Sequence, residues 1–172
     1  EVVNQEVIYA QATITQVSVV QTIISEFANV MLQEDDNARA RISAMNALVE
    51  RYPDQATAYQ VRGLVYSELQ DFEQAIANFD LAIELNPQSS ETHNSRGLAH
   101  NRLGEYELAI ADFTQAIELD PDSGTAYNNR GTTYSELGEY ELAIKDLTRA
   151  IYLVNLESFY NRGTVHSRFG YY

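Results

Sequence analysis

The sequence predicts an all-α protein in which one small two-helix unit is copied along the chain. Three Arg-Gly pairs place Gly63, Gly97 and Gly131 at intervals of 34 residues, and a fourth pair, Arg162-Gly163, follows after 32. A fixed period of this size is typical of solenoid proteins. Because one such unit cannot bury its apolar face alone, neighbouring units are expected to stack and to share a continuous core.

The spacing within each period predicts a first helix, a tight turn and a second helix. In the segment 59–66, Tyr59, Gly63 and Tyr66 stand at positions i, i+4 and i+7, which places them on one face of a helix. The segment 109–116 repeats an Ala-Phe-Ala stripe typical of a buried second helix. Gly104 indicates the end of a first helix and Pro121 the end of a second. The glycine inside each first helix indicates that another helix passes close to it.

Aligned on the glycines, three copies share further residues at fixed positions. In the first copy these residues are Tyr59, Gly63, Tyr66, Ala75, Phe79, Ala82 and Pro87. In the second copy they are His93, Gly97, His100, Ala109, Phe113, Ala116 and Pro121. The pattern resembles the tetratricopeptide repeat (TPR). The resemblance covers residues 56–172 and implies a right-handed superhelical solenoid of antiparallel helix pairs, preceded by an N-terminal helical extension.

The resemblance also divides the chain into units. The expected units are an N-terminal helical segment at 1–35, the helix of a capping hairpin or degenerate TPR at 36–55, TPR 1 at 56–89, TPR 2 at 90–123, TPR 3 at 124–155 and the first helix of a truncated TPR 4 at 156–172. The third copy lacks the proline turn and is two residues short. The fourth copy contains only its first helix. Either the sequence is a fragment of a longer protein, or another subunit covers the exposed end of this helix.

The N-terminal third contains no glycine and no proline before Pro53. Apolar residues recur there at steps of three and four, which predicts one long helix or two, with a strand over 13–20 as the alternative because Val, Ile and Thr are frequent. A second helix is predicted from about Asn37 to Arg51, with Ala40, Ala44 and Ala47 on one face. We expect the first 20 residues to lie along another subunit or a further domain.

The charge balance and composition exclude several classes of function. The chain has 25 acidic and 11 basic residues, a formal net charge of −14, and Lys145 is its only lysine. Such a negative field repels nucleic-acid phosphates and anionic lipid. The absence of cysteine excludes disulfides and thiolate metal ligands. With no membrane-spanning segment, we expect a cytoplasmic protein, while export with a signal removed before Glu1 stays open.

Candidate chemistry is sparse. His93, His100 and His166 stand where other copies carry Tyr or Phe, so we interpret them as core residues. His93 and His100 are about 10.5 Å apart along a helix axis, too far to share one zinc ion readily. No nucleophile-base pair or Gly-rich phosphate loop is present. We therefore expect no catalytic residues, no metal and no cofactor, and a protein that is not an enzyme.

The arginine before each repeat glycine is expected to have a structural role. Asp112 and Asp146 stand at matching places in two second helices, and Asn78 occupies that place in the first copy. These positions predict an Arg-Asp pair between the two helices of a repeat. A carboxylate-gripping role in the groove is the alternative.

The TPR resemblance implies an inner groove lined by the exposed face of the first helices. That face also carries Leu64 and Leu98. The candidate partner-binding residues are Gln60, Ser67, Asn94, Asn101, Arg102, Asn128, Asn129, Thr132, Ser135, Tyr160 and Asn161. Side-chain amides donate and accept together, so a ladder of them suits an extended peptide backbone. The lysine clamp of TPR proteins that hold chaperone tails is absent.

These features predict a protein–protein interaction scaffold that binds another protein or an extended peptide in the groove. One alternative is a structural protein that self-associates, forming a homo-oligomer through the N-terminal helix and the open C-terminal end. The other alternative is a regulatory TPR domain of a larger enzyme or sensor.

Overall fold

The computed structural model describes residues 2–31, 38–153, 161–165 and 167, with side chains described from residue 11 onward. The helices in these ranges are α1 (Val2–Met31), α2 (Ala38–Arg51), α3 (Ala56–Glu68), α4 (Phe72–Leu85), α5 (Ser90–Arg102), α6 (Tyr106–Leu119), α7 (Gly124–Leu137) and α8 (Tyr140–Tyr152). Residues 161–165 are also helical. Helices α3–α4, α5–α6 and α7–α8 pack as pairs, and each pair contacts the next. The predicted all-α solenoid of stacked helix pairs is confirmed.

The repeat glycines lie where the two helices of a pair touch. A Cβ atom added to Gly63 would lie 2.6 Å from Phe79 Cε1, one added to Gly97 would lie 2.8 Å from Phe113 Cε1, and one added to Gly131 would lie 2.9 Å from Leu147 Cγ. Real Cβ atoms do not approach other atoms this closely, so each contact requires glycine. The predicted close approach is confirmed in all three repeats.

The turn between the helices of each repeat uses a left-handed residue. Gly104 and Gly138 have φ angles of +78° and +83° and end their first helices, as the sequence predicted for Gly104. In the first repeat, Gln70 occupies the equivalent place with φ of +61°. A side chain in this conformation costs about 1–2 kcal/mol, so the first turn is strained where the others are relaxed.

Serine residues are the N-caps of α5 and α7. Ser89 accepts a hydrogen bond from the backbone N–H of Thr92, and Ser123 accepts one from that of Ala126. Each bond satisfies one of the free N–H groups at a helix start. Ser89 and Ser123 therefore cap the N-termini of α5 and α7.

Arg62, Arg96 and Arg130 each link three helices, which is more than the sequence predicted. Arg96 donates from Nε and Nη2 to Asp112, 16 residues later on α6, and from Nη1 to Asp80, 16 residues earlier on α4. Arg130 likewise bonds Asp146 on α8 and Thr114 on α6. The predicted Arg-Asp pair within a repeat is confirmed, and a second bond joins that repeat to the one before.

The carboxylates change the acid–base properties of these arginines. The hydrogen bond to Asp112 raises the pKa of Arg96 above its usual range and outweighs the opposing effect of burial. Burial lowers the pKa of Arg130, but the bond to Asp146 and its charge overcome that effect and raise the net pKa. Both guanidinium groups therefore stay charged as permanent cross-links.

Helix α2 occupies the place of a second helix in a preceding repeat. Its Asn46 accepts from Arg62 Nη1, as Asp80 accepts from Arg96. Ile23 on α1 joins Met45 and Leu48 on α2 in a buried cluster that continues onto α3. The bond from Arg62 to Asn46 is thus the same kind of contact that joins the regular repeats.

Two N-terminal expectations are settled by the helices themselves. Residues 2–31 form one continuous helix, so neither the two-helix alternative nor the strand over 13–20 holds. The alanine face predicted for α2 was wrong, because Ala40 and Ala47 are exposed whereas Met45, Leu48 and Val49 are buried. Met45, Leu48 and Val49 occupy the core because α1 has no glycine that would allow α2 to approach it more closely.

The histidines pack near the helix-pair carboxylate. His93 is buried with Nδ1 3.6 Å from Asp112 Oδ1, and half-buried His100 bonds Glu105 Oε2 at 2.6 Å. The predicted core position of His93 is confirmed, while His166 lies outside the described residues. Across the described ranges, no cluster of three or more His, Asp or Glu side chains could hold a metal ion. In the same ranges, no helix is long and apolar enough to cross a membrane.

Candidate functional site

The first helices α3, α5 and α7 lie side by side with the helical segment 161–165, and their common exposed side is called the groove face here. Most predicted site residues on it are half-buried, with side chains partly open to solvent: Gln60, Ser67, Asn94, Asn101, Asn129, Thr132 and Asn161. Arg102 is exposed. Tyr160 lies outside the described residues.

Asparagine side chains bond one another across neighbouring first helices. Asn129 Nδ2 on α7 donates to Asn94 Oδ1 on α5 over 3.0 Å. Asn161 Nδ2 donates to Asn128 Oδ1 on α7 over 2.9 Å. We call these four residues the amide ladder. The sequence placed the amides on one face but not in mutual contact, because the contact depends on how tightly successive repeats stack.

The rung between Asn94 and Asn129 leaves one amide nitrogen and one amide oxygen without a bond within the described ranges. The bond uses one oxygen and one nitrogen, so Asn94 Nδ2 and Asn129 Oδ1 have no hydrogen-bond partner among the described residues. One remaining donor and one remaining acceptor match the C=O and N–H of a peptide unit. This rung can therefore hold an extended backbone without first breaking its own bond.

Two predicted groove residues lie beneath the surface. Asn128 is 4% exposed and Ser135 is 7% exposed, although the sequence placed both on the open face. Asn161 from the next first helix bonds Asn128 directly, which accounts for its burial. Asn101 is also engaged, since its Nδ2 donates to the hydroxyl of buried Thr133 on α7. Ser135 is therefore buried beneath the groove face, whereas Asn101 and Asn128 form hydrogen bonds between neighbouring first helices.

An apolar hollow of about 330 Å³ opens at the N-terminal end of the groove face. Its lining combines α3 and α5 with one aromatic residue from α1 and one from the start of α4: Phe27, Leu64, Ser67, Glu68, Phe72, Leu98, Ala99 and Arg102. We call it the leucine hollow. The sequence placed Leu64 and Leu98 on this face at the repeat spacing, but it missed Phe27 and Phe72. Phe27 gave no repeat signal because it comes from the irregular N-terminal helix, whereas Phe72 could have been found, since Tyr106 and Tyr140 follow it at the 34-residue spacing.

The rim of the leucine hollow carries one paired and one unpaired charge. Glu68 forms an ion pair with Arg41 of α2, which neutralises it. Arg102 has no ion-pair or hydrogen-bond partner among the described residues. A single open cation beside an apolar surface suits a ligand that presents an apolar side chain and one nearby carboxylate.

A smaller hollow of about 120 Å³ adjoins the other end of the amide ladder. It lies between α7, α8 and the segment 161–165, and Thr132, Asn161 and Val165 are among its lining residues. The groove face thus has two chemically different ends, an apolar one near α1 and an amide-rich one near residue 161.

Comparison with known families identifies the repeats. Residues 90–123 and residues 113–145 each match a family model described as tetratricopeptide repeat, and residues 63–104 match one described as TPR repeat. The chain belongs to the tetratricopeptide-repeat family. A comparison with curated proteins found no match in sequence.

Solved structures share the fold at low sequence identity. A crystal structure of MamA has a TM-score of 0.75 and 19% identity, covering 88% of this chain and 83% of that chain. The first TPR of Spaghetti (RPAP3) bound to the HSP90 peptide SRMEEVD has a TM-score of 0.65 and 23% identity, covering 67% and 94%. An Arabidopsis OM64 TPR domain has a TM-score of 0.65 and 22% identity, covering 67% and 97%. At these identities the similarity establishes the fold alone.

Proposed function

We propose that this protein is a non-catalytic scaffold that binds an extended peptide segment of another protein on the groove face. The observation that carries the proposal is the position of the leucine hollow beside the amide ladder on one continuous face. The peptide-bound RPAP3 structure supports it, since that repeat array of similar fold holds a peptide. Recognition of a partner by an extended peptide is a common mode of protein interaction.

The leucine hollow and the amide ladder bind different parts of the peptide. The leucine hollow takes one apolar side chain of the peptide, and burial of a leucine-sized group stabilises the complex by about 1.5–3 kcal/mol. The open groups of Asn94 and Asn129 bond one peptide unit of the backbone. Arg102 takes a carboxylate next to the apolar side chain. The preferred ligand is therefore an extended segment with one apolar anchor and one adjacent acidic residue.

The same charges disfavour a strongly acidic tail. The HSP90 peptide SRMEEVD carries three acidic side chains. The chain's net charge is −14, and its only lysine, Lys145, lies on the second helix α8. We expect no measurable binding of SRMEEVD by calorimetry at about 100 µM protein. The negative charge of the protein repels the acidic peptide more strongly than the single arginine Arg102 attracts it.

Selection of peptides tests the proposal directly. Twelve-residue peptides selected from a random displayed library would be synthesised, and their dissociation constants for the full chain measured by isothermal titration calorimetry. Leu98→Asp places a charge in the leucine hollow and is expected to weaken binding at least tenfold. The double variant Asn94→Ala/Asn129→Ala is expected to weaken binding about five- to 100-fold, because it removes two hydrogen bonds that contribute about 0.5–1.5 kcal/mol each.

A matched control separates the groove face from a general charge effect. Leu81 on the second helix α4 is 40% exposed, close to the 38% of Leu98, so Leu81→Asp adds the same charge at similar exposure. This variant should keep the wild-type affinity. Equal weakening by both aspartates, or no selected peptide that binds the wild-type chain, would overturn the proposal.

A further inference from the structure

Helix α1 has two apolar stripes, and its own fold covers only one of them. The first stripe contains Val19, Ile23, Phe27 and Val30, which pack with α2 and α3 in the N-terminal core. Ile23 is fully buried in that cluster. This stripe accounts for how α1 attaches to the solenoid, but it leaves the remaining apolar residues of the helix without a role.

The second stripe repeats with the period of a coiled coil. Its members follow one another at alternating steps of four and three residues: Val3, Val7, Ala10, Ile14, Val17, Gln21, Ile24 and Ala28. We call these residues the α1 seam. A period of 3.5 residues keeps a straight stripe facing a partner helix when two helices supercoil. Seven of the eight members are apolar, and the exception is Gln21.

The described part of the α1 seam is exposed to solvent. Ile14 is 66% exposed, Val17 is 52% exposed and Ile24 is 49% exposed. Every residue from 11 to 18 is exposed, so this stretch has its surface largely open to solvent. The helix spans 30 residues, or about 45 Å, which provides about four heptads.

The composition of α1 requires a partner along this seam. Nine of the twelve residues from 13 to 24 are β-branched, and such residues lose side-chain freedom in a helix. A helix of this composition gains its stability from packing rather than from intrinsic propensity. Because the core covers only the first stripe, the seam side must supply the remaining contacts.

Charge identifies a second copy of this chain as the partner. Within Val2–Met31 the charged residues are Glu6 and Glu26 only, whereas the whole chain carries 25 acids. Two copies of a −14 protein repel each other, and the weakly charged α1 is where they can meet at the least electrostatic cost. The positions beside the seam, such as Gln11, Ser18 and Ser25, carry no charge that would select an oppositely charged partner.

We propose that two copies of this protein associate through the α1 seam as a two-stranded coiled coil. An identical helix brings the same repeat of side chains in the same period, so its knobs match the holes of the first copy. Gln21 is the one polar position, a feature that lowers coiled-coil stability while restricting the register. The dimer leaves the groove face free, and its failure would not affect the proposed peptide binding.

Mass measurement on the full chain tests this proposal. Sedimentation equilibrium from about 5 to 100 µM should give a species of twice the 19.4 kDa chain mass. Its association should strengthen in 500 mM NaCl, because salt screens the repulsion between acidic bodies. Ile14→Asp/Val17→Asp should raise the dimer dissociation constant about 100-fold or more, since it buries charges in the seam.

Two further variants keep the result interpretable. Ala12→Asp/Thr15→Asp adds the same charges at the same spacing on exposed positions outside the seam and should change the dissociation constant less than threefold. Gln21→Leu should tighten the dimer about tenfold, because an apolar residue replaces the polar one. A wild-type monomer throughout the concentration range, equal effects of the two aspartate pairs, or an unchanged constant for Gln21→Leu would overturn the proposal.

Discussion

The α5–α6 repeat and the N-terminal pair α1–α2 solve the same packing problem in different ways. In α5–α6, Gly97 lets the ring of Phe113 lie against the backbone of the first helix. In α1–α2 no glycine is present, and Ile23 packs on Met45 and Leu48 instead. The difference shows that the repeat glycine sets the distance between helices. Where it is missing, larger side chains fill the gap and more apolar surface stays outside.

The first repeat contacts α2 at one junction and α5 at the other, and the groups that bond the arginine at these two junctions differ in charge. Arg96 is held by two carboxylates, Asp112 and Asp80, whereas Arg62 is held by two amides, Asn78 and Asn46. Hydrogen bonds between charged partners contribute about 1.5–3 kcal/mol, against about 0.5–1.5 for a typical one. The link between the regular repeats is therefore stronger than the link to the N-terminal pair.

Removing the carboxylate should produce the largest loss. Asp112→Ala removes the carboxylate that accepts two bonds from half-buried Arg96, leaves it only the exposed Asp80, and should cost about 3 kcal/mol, because removing one partner of a buried ion pair is expensive. Asn78→Ala, the equivalent change at the first junction, should cost about 1 kcal/mol. Urea unfolding followed by circular dichroism gives both free energies. Equal losses would show that the charge of the partner does not matter.

Filling the glycine contact should have the next largest effect. A Cβ on Gly131 would meet Leu147 Cγ at 2.9 Å and the backbone oxygen of Ala143 at 3.2 Å, so Gly131→Ala should cost about 2 kcal/mol. A Cβ on Gly163 meets no described atom within 4 Å. Gly163→Ala should therefore be neutral or stabilise by up to about 1 kcal/mol. Thermal unfolding compares the two, and a loss at Gly163 as large as that at Gly131 would contradict the packing explanation.

The turn residue should give the smallest effect. Gln70→Gly removes the strain of a side chain at φ of +61° and should stabilise the protein by about 1 kcal/mol. The reverse change in the next repeat, Gly104→Gln, should destabilise it by a similar amount, since only the backbone conformation opposes a side chain there. Midpoints of urea unfolding would detect both shifts. Shifts in the same direction would show that turn strain is not their cause.

Much of the fold could be predicted from the sequence because the repeated residues act locally. Glycine, alanine and phenylalanine at fixed steps determine how two adjacent helices meet, and Arg96 with Asp112 determines a pair within one repeat. The bond from Arg96 to Asp80 could not be predicted, because it depends on the rotation between successive repeats. The register of α2 was wrong for a related reason, since alanines match the repeat pattern but Met45 fills the space that α1 leaves.

The candidate site was less predictable than the fold. The amides at 94, 129 and 161 were found because they recur on one face, yet the burial of Asn128 follows from the exact approach of the next helix. The leucine hollow needed Phe27, which belongs to none of the three regular repeats. Sites formed between a regular array and an irregular neighbour leave no periodic signal in the sequence.

Hydrogen-exchange footprinting of a selected peptide tests the proposed groove face most directly. Amide exchange would be measured on the full chain with and without saturating peptide. We predict slower exchange in α3, α5 and α7, strongest around Leu64, Leu98 and Asn129, with α4, α6 and α8 little changed. Protection confined to the second helices, or to α1 alone, would contradict the claim that the first helices form the partner-binding surface.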